Sequence, residues 1–154
     1  MSEPYPLAPR SEAGSSSSTE LIRFVKRLRR YKVGLVHIEI SALPEALLDI
    51  QTQLPDTELV DLLKNLDAAD IERLTARRLA DRVVLPIEQS APKILLNFEA
   101  LFTTLEGRPQ QQVKKHLVWA EPLLPCLLIL HSEYTTDRLR DAFSNRMYLW
   151  KPNS

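Results

Sequence analysis

The sequence predicts a mainly α protein, a compact array of six to eight short helices with a small two-stranded β element. Three observations lead there. The chain of 154 residues holds 11 prolines but only 3 glycines, so it has many points that stop an element and few that allow tight hairpins. Apolar residues recur at helical spacing through most of the chain. Only two stretches, 33–40 and 82–87, read as strands.

Residues 1–18 read as a flexible tail, with Pro4, Pro6 and Pro9 ahead of a serine run, and 19–154 as a single helical domain. Ser18 or Thr19 can cap a helix over 19–31, in which Leu21, Phe24, Val25 and Leu28 form one stripe. Its other face carries Arg23, Lys26, Arg27, Arg29 and Arg30, with Lys32 just beyond. In 33–40, Val36, Ile38 and Ile40 alternate with His37 and Glu39, the pattern of a half-buried strand. The partner strand falls at 82–87, where Pro86 suits an edge.

Between the strands, Pro44 opens a helix over 44–53, where its missing N–H costs nothing. Asp56 or Thr57 caps a second with a seam of Leu59, Leu62, Leu63 and Leu66. Asp67 caps a third that turns Ile71 and Leu74 inward. Ser90 then caps the most apolar helix, over 91–106. Ile94, Leu95, Phe98, Leu101, Phe102 and Leu105 make it the expected centre of the core, with Gly107 and Pro109 ending it. A helix over 110–120 stops at Pro122, an apolar segment over 123–131 is split by Pro125, and a last helix over 136–149 turns Leu139, Ala142, Phe143 and Met147 inward.

The chemistry of the sequence is sparse. The single cysteine, Cys126, excludes an intramolecular disulfide and lies among leucines, where a thiol is inert. His37, His116 and His131 fall in separate elements without a metal-ligand spacing. There is no G-x-S-x-G elbow, and phosphate-cradling loops need glycines that the chain lacks. No catalytic, cofactor-binding or metal-ligating residue is therefore assigned, and no cofactor is expected. No window is apolar for long enough to span a membrane, and the first residues lack a signal peptide's apolar core. A cytoplasmic or otherwise intracellular protein is the expectation.

The functional reading is a non-enzymatic interaction protein: a subunit, adaptor or regulator of a larger complex. Its partner is another protein, in a hetero-complex or a homodimer. Trp119, Tyr148 and Trp150 are the candidate anchors, being large amphipathic side chains of the kind that dominate interfaces. Twenty basic and twenty acidic side chains cancel globally, which excludes a basic coat. Locally they do not cancel, since 20–32 hold six basic residues against Glu20. The face of Arg23, Lys26, Arg27, Arg29, Arg30 and Lys32 would steer an acidic partner. The alternative is a DNA-binding transcriptional regulator. It would use that basic helix, or the helix pair over 123–131 and 136–149 with Arg138, Arg140 and Arg146 exposed on its second member.

Overall fold

Short uninterrupted apolar runs, not amphipathic helices, organise the molecule. Val33–His37, Lys93–Leu96 and Cys126–Leu130 are buried along almost their whole length. A run buried on both sides needs a layer on each face, which is the setting of a parallel sheet. The computed structural model describes residues 20–28, 33–84, 91–122 and 124–152. In it the chain is an α/β protein built on a five-stranded parallel sheet, which replaces the mainly helical array with a two-stranded element.

The elements follow in order: α1 (20–28), β1 (Val33–His37), α2 (Leu43–Gln53), β2 (Glu58–Asp61), α3 (Ala68–Glu72), α4 (Ala76–Val84), β3 (Lys93–Leu96), α5 (Phe98–Phe102), α6 (Arg108–Trp119), β4 (Cys126–Leu130), α7 (Glu133–Phe143) and β5 (Met147–Leu149). The strands lie in the order β2-β3-β4-β1-β5. Val33 pairs with Cys126 and Leu35 with both Leu128 and Met147, so β1 is an interior strand between β4 and the β5 edge. On one face, α1 and α2 cover Val36, Ile38, Ile94, Leu127 and Ile129. On the other, α4 to α7 cover Val33, Leu35, Leu95, Leu128 and Leu130. Right-handed crossovers produce this division, because β1 connects toward β2 while the later strands connect in the opposite direction.

Several expected elements change identity. The central helix over 91–106 is β3 followed by the short α5. Ile94 and Leu95 are neighbours that enter opposite core clusters, which strand geometry allows and one helical stripe does not. The Leu59–Leu66 seam begins as β2, and the apolar segment split by Pro125 is β4. The strand expected over 82–87 is, through Val84, the end of α4; 85–87 lie outside the described residues, as do 1–18. The last helix ends at Phe143 and gives way to a 3₁₀ turn and β5.

The prolines punctuate strands as well as helices. The Pro92 carbonyl accepts from Glu58 N–H at 2.8 Å, and the Pro125 carbonyl accepts from Lys93 N–H at 3.0 Å. Each starts a ladder from just before its strand, where a missing N–H is tolerated. Gly107 and Pro109 open α6 instead of closing a helix, Gly107 taking φ 71° at the N-cap. The expected α1 stripe is in place: Leu21, Phe24 and Leu28 are buried against the sheet. Pro44 stands in the first turn of α2. Asp67 caps α3 through a reciprocal capping box with Asp70.

Helix α1 approaches β1 where Gly34 leaves room. A Cβ at Gly34 would lie 2.6 and 2.8 Å from the two methyls of buried Leu28 and 3.1 Å from the Phe24 ring. Gly34→Ala is therefore expected to displace α1 and cost about 1–3 kcal/mol, read from urea unfolding. An unchanged midpoint would mean that α1 does not depend on this close approach.

Candidate functional site

In an open parallel sheet, ligands bind outside the carboxyl ends of the strands where neighbouring connections diverge. Here that point lies between β1 and β4, because α2 covers one face and α7 the other. Three polar side chains meet there. The Glu99 carboxylate, in the first turn of α5, accepts from the backbone N–H groups of His131 and Ser132, the latter at 3.0 and 3.2 Å. Ser132 is the N-cap of α7, so Glu99 places its negative charge at the positive end of that helix.

The two histidines close the rest. His131 Nδ1 donates to the Ile38 carbonyl at 2.9 Å and ties the end of β4 to the end of β1. His37 Nδ1 lies 2.9 Å from Thr136 Oγ1, whose own proton goes to the Ser132 carbonyl at 2.8 Å. The Thr136 oxygen therefore accepts from His37, which fixes the ring by its Nδ1–H. One strand further, Asn97 takes a left-handed backbone at φ 68° and donates to Asp61 Oδ1 at 2.6 Å. That bond, with the Leu63 N–H, holds the Asp61 carboxyl below its ordinary range.

Between β1 and β4, the carboxylate and ring Nδ1 atoms at this end of the sheet are engaged by the protein's own groups. The turn leading from β1 into α2 is a 3₁₀ turn over Ile40–Ala42 preceded by Glu39, and the first turn of α2 adds Glu45. A phosphate cradle at such a turn uses glycines and backbone N–H groups free of negative neighbours. The geometry offers an anion neither. Among the described residues, no three His, Cys, Asp or Glu side chains converge to hold a metal ion.

The surface offers two concavities. A groove of about 630 Å³ between α4 and α6 is lined by Thr75, Ala76, Arg77, Gln112, Lys115, His116 and Trp119. Another of about 520 Å³ lies between α7 and the β5 edge, where His37, Glu133, Arg140, Tyr148 and Leu149 are among the lining residues. The first contains the most exposed large apolar side chain among the described residues, Trp119 at 77%.

The expected site residues are dispersed. Trp119 is exposed at the end of α6. Trp150 is not: it is 5% exposed, and its indole N–H donates to Asp49 at 2.8 Å from within the α1–α2 cluster. Tyr148 is half-buried with its ring 5.5 Å from that of Phe24, and burial raises its phenol above the ordinary value. On the basic helix, Arg23, Lys26 and Arg27 are exposed, while Arg29, Arg30 and Lys32 lie outside the described residues. The helix pair does not form, because its first member is β4. Arg138 stacks on Tyr134 and Arg140 pairs with Asp137, both on the surface of α7. Arg146 is buried over the Phe143 ring and donates to the Val118 carbonyl. Glu99 and Asn97 had no signal of their own in the sequence. Their positions become legible only once Lys93–Leu96 is read as a strand, because both then follow its carboxyl end.

Two outcomes follow from this end of the sheet. Glu99→Ala strands the N–H groups of His131 and Ser132 and is expected to destabilise the protein by about 1–3 kcal/mol in chemical unfolding. Asn97→Gly keeps the left-handed backbone but removes the donor to Asp61. The folded-state pKa of Asp61 is depressed, so its contribution to stability is present above the ordinary carboxylate range and is lost as pH falls through the folded value. The variant is therefore expected to lose stability near neutrality and to converge on the parent once pH has fallen below the depressed folded-state pKa of Asp61. A deficit that stays constant with pH would show that the bond does not act through Asp61.

No protein-family model, curated protein or solved structure matches the chain.

Proposed function

We propose that the chain is a non-enzymatic interaction protein, a subunit, adaptor or regulator that binds another protein through the outer surface of its α4–α6 layer. The observation that carries this reading is Trp119. The other tryptophan is packed in the core, whereas Trp119 stands exposed at the end of α6 over a groove deep enough to receive a side chain. Tryptophan is the residue most often found at the centre of binding energy in interfaces. The carboxyl end of the sheet between β1 and β4 supports the same reading, because the Glu99 carboxylate and the Nδ1 atoms of His131 and His37 are engaged by the protein itself. No helix among the described residues is long and apolar enough to cross a membrane. We place the chain inside the cell, where buried Cys126 stays reduced.

A second reading keeps one specific observation. Arg23, Lys26 and Arg27 project from α1 into solvent, as a phosphate-contacting face would require. Duplex binding that falls steeply with salt and is lost on reversing Arg23 and Arg27 would favour this nucleic-acid reading.

The interaction reading is tested by a paired substitution. Trp119→Ala is expected to change stability by no more than about 0.5 kcal/mol while abolishing recovery of the native complex. Trp150→Ala should instead cost about 3–5 kcal/mol. Millimolar nucleotides should leave the melting temperature unmoved. A nucleotide-dependent rise, or full complex recovery by the Trp119 variant, would sink the reading.

A further inference from the structure

The groove beside Trp119 has a sign. Of its lining side chains, Arg77 and Lys115 carry formal positive charge, His116 adds a ring donor, and none is acidic. Asp81 pairs with Arg77 from one turn away at 3.7 Å, but Arg77 remains largely exposed in that pair, as exposed ion pairs of this kind constrain little. The cations flank an exposed indole in a molecule whose formal charge is zero, so this is local polarity and not part of a basic coat. At about 630 Å³ and open to solvent, the groove is of a size to seat a short segment.

Resting on the interaction reading above, we propose that the α4–α6 groove takes an acidic segment of a partner protein. One aromatic or apolar side chain of that segment stacks on Trp119, and its carboxylates meet Arg77 and Lys115. The apolar contact supplies affinity, and the two cations select sign and register. Single-stranded nucleic acid would also stack on an indole, but it needs a track of cations along its backbone. The groove supplies only this short cluster. The basic face of α1 does not extend it, because α1 covers the opposite face of the sheet from α4 and α6.

Short random peptides displayed on phage and selected on the immobilised full chain test this directly. The expected winners are acidic with one aromatic residue, binding more weakly as salt rises. Lys115→Glu and Trp119→Ala should each weaken them about tenfold, a change expected for losing one close contact at an interface. Arg77→Lys should retain most of the binding. Basic or neutral winners, no winners at all, or winners indifferent to both substitutions would overturn the proposal. Tight binding of an oligothymidylate that depends on Trp119 would overturn it in favour of nucleic acid. A photo-crosslinking residue at position 112, which lines the groove, and another at position 48 on α2 separate this failure from that of the interaction reading. Crosslinks to a native partner from position 48 alone would leave an interaction protein whose contact lies elsewhere.

Discussion

Burial of the parallel sheet on both faces is the constraint from which the rest follows. Neither β4 nor β1 has an exposed residue, so neither strand tolerates an open face. Each face therefore needs its own apolar layer. The chain supplies α1 and α2 for one and α4 to α7 for the other. The order β2-β3-β4-β1-β5 allows this, because leaving β1 in one direction and the later strands in the other puts their helices on opposite sides. What remains accessible is the outside of the helices, two short edge strands and the two ends of the sheet.

The carboxyl end is where such a sheet ordinarily receives a ligand, and here it is spent on internal order. Glu99 meets the N-terminus of α7 in the way a bound anion would, combining charge-assisted hydrogen bonds with the helix dipole. His131 spans β4 to β1, and His37 is held by Thr136. These contacts fix the loops after β1, β3 and β4 relative to one another. The same rigidity lowers the entropic cost of presenting a surface elsewhere, which suits a protein whose exposed tryptophan sits on the helical layer.

The sequence made the helical layer and β1 legible and hid the rest of the sheet, for a physical reason. Amphipathic helices announce themselves by period, so the α1 stripe, Pro44 in α2, the Asp67 cap and the body of α6 could be read directly. A strand buried on both faces has no polar side and thus no period of two. Leu127 and Leu128 look alike in sequence yet belong to different cores. Ile94 and Leu95 followed by Phe98, Leu101 and Phe102 imitate a helical stripe across what is a strand, a left-handed Asn97 and a short helix. Pro92 and Pro125 were the available signals. Each stands just before a short, glycine-free apolar run, which is how a buried parallel strand begins. The site was less legible still, because Glu99 gains meaning only from the strand before it.

Net neutrality, finally, describes an average over a polarised surface. Exposed Glu39, Asp61 and Glu133 lie at or just beyond the carboxyl ends of β1, β2 and β4, and Glu99 adds a partly buried charge between them. Exposed Arg23, Lys26 and Arg27 mark one helical layer, and Arg77 and Lys115 the other. Charges on opposite faces of the sheet are screened from each other at physiological salt, so each cationic patch acts on a partner nearly independently. An approaching acidic segment is repelled from the sheet end and attracted to the helical layers. Of those two, the α4–α6 side joins its charge to a groove and an exposed indole. On α1 the aromatic residue beneath the cations, Phe24, is already buried in the core, with Arg27 lying over its ring. Charge can therefore bring a partner to either layer, while the apolar contact that would retain it is offered at Trp119.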